Sequence, residues 1–257
     1  MNPNSVRLLL LFAVLFSVSP VNASQVSIII DDIGYRQTDE AVLTLPSTIT
    51  LSVLPHTPLG QNIAMSANKR GHEIMLHIPM QALNGKVLGP GGLTNQMGEV
   101  EFKHTINQAL DSIPYAKGVN NHMGSLLTQL DEPMQWLMES LKQQDSYFVD
   151  SMTTRYSKAA DTANMLGIPL LKRQLFLDND VTQSALEKQF QQLIQLANAQ
   201  GSVVAIAHPY PETIRFLNEN LPRLAEQGIT LVRTSSLLPY RVAQQEPKNS
   251  PTTTHLR

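Results

Sequence analysis

The sequence contains no cysteine in 257 residues. A disulfide framework, a thiolate metal ligand and a thiol nucleophile are therefore all excluded. Aromatic residues make up only 5% of the chain, which leaves no obvious platform of rings on which a long ligand could stack. The formal net charge is -2, so the composition gives no sign of a basic surface for nucleic acid. Beyond the N-terminal region, no segment is long and apolar enough to span a bilayer.

The N-terminal region has the pattern of a secretory signal peptide over residues 1–23. Arg7 precedes an apolar stretch from Leu8 to Val18, and small residues follow at the positions that matter for cleavage, in Val21-Asn22-Ala23. The apolar stretch is short for a membrane span, although an uncleaved anchor is the alternative interpretation. We therefore expect an exported protein, periplasmic or secreted, that has no stable membrane span after cleavage. Residues 241–257 are polar and contain proline, and we expect a disordered tail there.

Residues 24–240 read as one α/β domain. Hydrophobic residues make up 42% and charged residues 16%, an ordinary balance for a globular protein. Short apolar runs alternate with segments of helical periodicity, which favours parallel strands in a barrel or in a doubly wound sheet. The pattern predicts eight strands, at 25–30, 49–54, 73–76, 117–120, 147–149, 168–171, 202–207 and 229–232. It predicts helices at 59–70, 99–112, 132–144, 181–199 and 211–227.

Four of the apolar runs end in aspartate or histidine. The run VSIII ends at the adjacent carboxylates of Asp31 and Asp32, and three others end at or near His77, His122 and His208. Taken singly, such residues are more often helix caps or structural histidines. Together they predict one polar cluster, because the carboxyl ends of parallel strands gather on one face of the fold. Aspartate and histidine are ligands for a divalent metal and also serve as acid and base.

Three further residues are candidates for supporting roles. Asp150 ends another strand-like run, although a turn residue is an equal alternative. Arg173 carries a guanidinium that could brace a catalytic carboxylate, and Asp178 follows it closely. Asp180 is interpreted as an N-cap of the following helix. The glycine-rich stretch at 84–98 follows His77 closely and is expected either to form a loop over the site or to be a plain surface excursion.

Several motifs together resemble the polysaccharide deacetylases, in particular their divergent group. They are IIIDDIG, GHEIMLHIPMQ, VVAIAHPY and the closing LAEQGITLVRTSSLL, and the resemblance covers residues from about 25 to 240. It implies a distorted (β/α) barrel of about seven to eight mostly parallel strands and a metal-dependent activity. By the same resemblance, Asp31 is the catalytic base, Asp32 and His77 are metal ligands, and His208 is the general acid.

The chain departs from that family pattern at one ligand position. Where the family has a second histidine four residues after the first, this chain has Gln81, and an amide is a poor ligand for zinc. The region of the family's middle motif reads GVNNHMGS here, and we infer that His122 supplies the missing imidazole. The expected ligands are then Asp32, His77 and His122. Their mixture of nitrogen and oxygen favours zinc among the divalent metals.

The sequence thus predicts a hydrolase that removes acetyl or other acyl groups from an extracytoplasmic or cell-envelope glycan. Metal-activated water would attack the carbonyl, with Asp31 as base and His208 as acid. A non-catalytic glycan- or envelope-binding protein with a vestigial site is the alternative, motivated by Gln81. Hydrolysis of another amide, such as one in peptidoglycan, would use the same chemistry.

We predict that the mature chain begins at Ser24, because the small residues before it match a signal-peptidase site. N-terminal sequencing of the protein recovered from the exported fraction tests this. A sequence that begins at Met1 would contradict it and support a retained anchor.

Overall fold

The computed structural model describes residues 23–239, which form a curled sheet of nine parallel strands surrounded by helices. The predicted tail and nearly all of the predicted signal peptide lie outside the described residues. Within residues 23–239, no helix combines the length and apolar character needed to cross a bilayer. The strands are β1 Ser24–Ile33, β2 Thr50–Val53, β3 Ile74–Met80, β4 Ala116–Met123, β5 Tyr147–Asp150, β6 Leu170–Lys172, β7 Leu175–Phe176, β8 Ser202–Ala207 and β9 Ile229–Leu231.

Helices follow most of the strands and cover the outside of the sheet. They are α1 Gly60–Lys69, α2 Glu99–Ser112, α3 Asp131–Gln143, α4 Ala159–Leu166, α5 Gln183–Gln200, α6 Pro211–Asn220 and α7 Pro222–Glu226. Short 3₁₀ helices lie at Gln37–Thr44, Leu127–Gln129 and Thr234–Leu237. The predicted alternation of strands and helices is confirmed.

The strand order shows that the sheet curls into a barrel. Its order is β6-β5-β4-β3-β2-β1-β8-β7, and β9 pairs with the first part of β1. The two ends of this order, β6 and β7, are joined in the chain by only Arg173 and Gln174. Because two residues span only a few ångströms, the ends of the sheet must approach each other. The predicted distorted (β/α) barrel is therefore confirmed, with nine strands rather than eight.

Alternation along the strands builds two apolar cores. Side chains that point outward pack against the helices in the larger core, which includes Ile28, Ile30, Leu76 and Phe148. Side chains that point inward form a smaller core inside the barrel, made of Ile29, Met75, Tyr147, Val149, Val204 and Ile206. The inner core lies between a polar cluster at each end of the barrel.

Some element boundaries differ from the sequence-based expectation. Strands β3 and β4 continue past His77 and His122, so these histidines lie within strands rather than after them. The helix predicted over 211–227 is divided before Pro222, which has no N–H to donate within a helix. Helix α4, strand β7 and the 3₁₀ helix Gln37–Thr44 were not predicted, because each is too short to show a clear period.

A buried glutamate closes the N-terminal end of the barrel. Glu73 accepts hydrogen bonds from the Tyr147 hydroxyl at 2.8 Å and from the Ser235 backbone N–H at 2.9 Å. Burial, reinforced by Glu73, raises the pKa of Tyr147, so its phenol stays protonated and donates. A β-carbon at Gly118 would lie 2.5 Å from the Tyr147 ring, so only glycine leaves room for this ring. These contacts dock the 3₁₀ helix Thr234–Leu237 under the barrel.

We predict that Glu73→Ala destabilises the protein by about 2–5 kcal/mol, because it leaves the buried Tyr147 hydroxyl and the half-buried Ser235 N–H without an acceptor. Urea unfolding measures the change. The matched control is Glu99→Ala, which removes an exposed carboxylate paired with Lys103 and should cost less than about 1 kcal/mol. Equal effects of the two substitutions would show that Glu73 does not hold this end of the barrel.

Candidate metal centre and active site

An irregularity in β1 separates the two adjacent aspartates. Pairing with β2 runs from Ile30 opposite Leu51 to Ile33 opposite Val53, so β1 has one residue more than its neighbour. Asp32 takes up this bulge with φ of 59°, a strained conformation for a residue other than glycine. Asp31 consequently points into the barrel while Asp32 reaches the rim.

Three side chains converge at this rim from β1, β3 and β4. The Asp32 Oδ1 atom lies 2.7 Å from His122 Nδ1 and 3.0 Å from His77 Nε2. The two histidine nitrogens are 3.2 Å apart. The structure thus brings together the three residues predicted as metal ligands, and they are a group that could hold a metal ion.

The geometry of these donors fits a small divalent cation. A tetrahedral centre with bonds of about 2.0–2.1 Å places its ligand atoms about 3.3 Å apart, close to the separations found here. Although both nitrogens approach Asp32 Oδ1, neither makes a well-formed hydrogen bond to it, and this oxygen is buried without a donor. Burial raises the pKa of Asp32, but the imidazoles of His122 and His77 outweigh it and hold that pKa below its usual range. The carboxylate is therefore ionised, as a metal ligand would need to be.

Asn120 fixes the orientation of His77. Its Nδ2 donates to both oxygens of Asp31, at 2.8 and 3.0 Å, so its Oδ1 faces the other way. That Oδ1 accepts from Ser52 Oγ at 2.6 Å and contacts His77 Nδ1 at 2.7 Å. His77 Nδ1 must therefore carry a proton, so in the neutral ring Nε2 holds the lone pair and faces Asp32.

Asp31 lies beneath the ligand cluster and is only 2% exposed. Burial raises its pKa, and this effect outweighs the opposing influence of His77, His208 and Asn120. A raised pKa is the change expected for a carboxylate that accepts a proton. Asp31 is not among the side chains that line the pocket described below, so it approaches the site from inside the barrel.

His208 forms a pair with Asp178 at the end of β8. His208 Nδ1 lies 2.9 Å from Asp178 Oδ1, while the His208 backbone N–H and Thr213 Oγ1 both donate to Asp178 Oδ2. His208 Nε2 lies 3.9 Å from Asp32 Oδ2. Asp178, which the sequence predicts as a supporting residue, therefore has a specific partner in His208.

Asp178 keeps His208 protonated at neutral pH. Burial lowers the pKa of His208, but Asp178, with smaller effects from Asp31 and Asp32, raises it to about 9. Because this pKa exceeds the usual histidine value of 6.5, the pair contributes stability that is fully present below pH 6.5 and is lost as pH rises through about 9. At neutral pH the ring is a proton donor.

The other two predicted supporting residues do not touch the cluster. Asp150 Oδ1 accepts the Met152 backbone N–H at 2.8 Å, which is the turn alternative. Arg173 donates to the carbonyls of Ser151 and Met152 at 2.7 and 3.0 Å, so it braces the loop after β5 rather than a carboxylate. Its guanidinium also lies 3.7 Å from the ring centroid of Phe176, and this ring stacks on His208.

His72 and Asp180 each contact the backbone. His72 is buried, and its Nδ1 contacts the Ile49 carbonyl at 2.9 Å. Asp180 was expected to be an N-cap, but helix α5 begins at Gln183 after the N-cap Thr182. Asp180 instead accepts the Thr182 N–H at 2.9 Å in a turn before the helix.

Gln81 does not face the metal position. Its Oε1 accepts the Asn95 backbone N–H at 2.8 Å and so holds the glycine-rich stretch at 84–98. A β-carbon at Gly89 would lie 2.9 Å from the Tyr35 hydroxyl, which shows how closely this stretch packs against Tyr35. Because Tyr35 lines the pocket beside the cluster, the glycine-rich stretch supports the wall of the site.

A pocket of about 190 Å³ opens directly above the cluster. It is lined by Asp32, Tyr35, Arg36, Leu54, His122, His208, Pro209 and Tyr210. Sequence reasoning missed Tyr35, Arg36 and Tyr210. Their position in the sequence could have identified them, since Tyr35 and Arg36 directly follow the DDIG motif and Tyr210 follows His208 by two residues.

Comparison with known proteins gives concordant matches. The family model described as divergent polysaccharide deacetylase matches residues 28–238. The uncharacterized protein YibQ of Escherichia coli (strain K12) is 39% identical over 251 residues, which cover 95% of this chain and 77% of that protein. An uncharacterized protein of Haemophilus influenzae is 34% identical over 215 residues, or 83% of this chain and 76% of that protein.

A solved structure confirms the fold. The crystal structure of an uncharacterized protein from Agrobacterium tumefaciens C58 superposes with a TM-score of 0.81 and 22% identity. The match covers 85% of this chain and 91% of that chain. At this level of identity the likeness concerns the fold alone.

We predict that His122→Ala lowers zinc affinity by at least about 10-fold, because it removes one of three converging donors. Gln81→Ala should leave the affinity unchanged, since Gln81 bonds to the chain at Asn95. Competition with a chromogenic chelator measures both variants. Full zinc occupancy in His122→Ala together with loss in Gln81→Ala would make the assignment of the third ligand wrong.

Proposed function

The chain belongs to the divergent polysaccharide deacetylase family, and on that premise we propose that it is a metal-dependent hydrolase. Its substrate would be an acetylated glycan outside the cytoplasm or in the cell envelope. One observation carries the proposal: three metal-type donors converge, and two of them, Asp32 and His122, line a pocket with a protonated histidine held by an aspartate. The predicted signal peptide supports the extracytoplasmic location.

Asp32, His77 and His122 would hold the metal, with zinc the expected ion for one oxygen and two nitrogen donors. When bound, such an ion lowers the pKa of water and polarises an acyl carbonyl. Three protein ligands leave a coordination position open toward the pocket. Both imidazoles must be neutral to bind, so metal affinity should fall as they are protonated at low pH.

We assign proton acceptance to Asp31. Its raised pKa moves the carboxylate toward the range in which it can take a proton from water and later release it. Its contact with Asn120 gives a second interpretation, in which Asp31 only positions His77. Replacement by asparagine distinguishes the two, because an amide oxygen still accepts from Asn120 but no longer serves as a base.

His208 would act as the general acid. Its Nε2 is the ring nitrogen that remains once Nδ1 is bonded to Asp178, and the side chain lines the pocket beside Asp32. Its pKa of about 9 keeps the ring protonated at neutral pH. Donation of the His208 Nε2 proton to the departing amine or alkoxide would complete acyl transfer to water.

The size of the pocket supports a short acyl group. Its volume of about 190 Å³ is below the roughly 300–1,000 Å³ that drug-sized ligands occupy. An acetyl group with part of one sugar ring fits this scale better than a long acyl chain. The remainder of a glycan would then lie outside the pocket, along the rim of the barrel.

A non-catalytic glycan-binding protein is the second candidate. The observations that favour it are the replacement of a family ligand by Gln81 and the deep burial of Asp31 away from the pocket wall. In that case the same residues would bind a metal and a sugar without turnover.

Three substitutions test the proposed roles. Asp31→Asn and His208→Ala should keep the metal but lower acetate release from acetylated glycans by about 10²–10⁴-fold, because each removes a proton-transfer group. Asp32→Asn should instead lower the metal content, because an amide oxygen is a weaker donor. Metal stoichiometry and rate are measured on the same preparations.

The matched control is Asp161→Asn, an exposed position in α4 that should change neither property. Metal loss in Asp31→Asn with retention in Asp32→Asn would mean that the roles are exchanged. A wild-type protein that binds zinc but releases no acetate from any acetylated glycan would leave the binding-protein candidate standing.

A further inference from the structure

We propose that the glycan recognised in this pocket carries an anionic group and that Arg36 binds it. The inference deepens the proposed function, since it names the substrate class of the same site. Among the residues that line the pocket, Arg36 is the only lysine or arginine.

Within residues 23–239, Arg36 has no carboxylate partner and forms no ion pair, whereas Arg223 makes two contacts of 2.8 Å with the oxygens of Glu187. An arginine left unpaired beside a set of reactive groups has its full donor capacity available to a ligand. Carboxylates and phosphates are the groups that match a guanidinium in shape and charge.

The backbone at Arg36 is held in place by a buried carboxylate. Asp39, which is 1% exposed, uses one oxygen to accept the N–H groups of Gly34, Tyr35 and Arg36 at 2.9, 3.1 and 3.0 Å. A β-carbon at Gly34 would lie 2.1 Å from Thr57 Oγ1, so the turn also requires glycine. The turn that carries Arg36 is therefore fixed relative to the aspartate pair that precedes it.

The Arg36 side chain approaches a tyrosine of the pocket. The Arg36 guanidinium carbon lies over the ring of Tyr210, 5.9 Å from its centroid and two residues after His208. A cation–π contact at this distance leaves the N–H groups of a guanidinium open for hydrogen bonds, so an anion can bind without displacing it. The anion would then lie beside Asp32 and His208, near the acyl group that water would attack.

Two tyrosines flank the arginine at the pocket. Tyr35 is 50% exposed, and Tyr210 presents its ring beneath the guanidinium. Aromatic faces pack against the apolar faces of sugars, while the cation selects among sugars by charge. Asp32 would repel an anion until a divalent cation neutralises it, so the preference is expected in the metal-loaded protein.

The experiment compares three probes that share one sugar. N-acetylglucosamine is neutral, N-acetylmuramic acid adds a lactyl carboxylate, and N-acetylglucosamine 6-phosphate adds a phosphate. Dissociation constants are measured by calorimetry on the zinc-loaded full chain. At least one anionic probe should bind about 10-fold or more tightly than the neutral sugar, and which of them does so identifies the anion.

Arg36→Gln should weaken binding of the preferred anionic probe by about 10–100-fold and leave the neutral sugar unchanged. Arg36→Lys should retain part of the preference, because it keeps the charge but not the planar fork. The control is Arg215→Gln, which removes the same charge from an exposed position on α6 and should alter no affinity. Thermal melting confirms that the variants are folded.

Failure of both anionic probes to bind more tightly than N-acetylglucosamine, including failure of all three to bind, would overturn the proposal. A preference that survives in Arg36→Gln would overturn it as well, since the anion would then be bound by the metal or another group. A different result would overturn the proposed hydrolase activity alone: a wild type that shows the anion preference but releases no acetate from acetylated glycans.

Discussion

Parallel pairing of β3 with β4 is the constraint on which the candidate site depends. Its register sets His77 beside Asn120 and Pro79 beside His122, so one amide and two imidazoles lie on neighbouring strands. Asn120 can then bond to His77 on one side and to Asp31 on the other, which fixes both groups at once. A slip of one residue would turn these side chains outward into the apolar core, because side chains alternate along a strand.

The barrel separates two polar ends by a dry layer, and this arrangement lets buried charges persist. The inner core of Ile29, Met75 and their neighbours lies between the Glu73 cluster below and the aspartate and histidine cluster above. Each polar cluster supplies most of its own partners, since unpaired buried charges are costly. The upper cluster is less fully satisfied, since Asp32 there adopts a strained backbone conformation and has an oxygen without a hydrogen bond. Strain of this kind persists where surrounding packing imposes it, and it gathers at functional sites.

The sequence predicted the barrel and the convergence of Asp32, His77 and His122. Apolar runs that alternate with helical segments indicate parallel strands, and polar residues at the ends of such strands lie on one face of the fold. It did not predict that His77 would depend on Asn120, since an asparagine within a strand has no pattern that sets it apart. Nor could it place Arg173, because a side chain that bonds to loop carbonyls depends on a loop conformation that no period encodes. The roles of Asp31 and His208 remain predictions, although the contacts of His208 with Asp178 show how a proton would be held there.

The inferred exchange of one ligand position links Gln81 with His122. In the family pattern that the sequence resembles, a second histidine follows the first after four residues, and here that position is glutamine. The neighbouring strand β4 supplies His122 from the same rim, so the three donors still converge within 3.2 Å of one another. Gln81 is then available to bond to Asn95 and to support the glycine-rich stretch against Tyr35. If His122 replaces a donor at position 81, the candidate metal position is coupled to the wall that carries Tyr35 and Arg36, where a glycan would be selected.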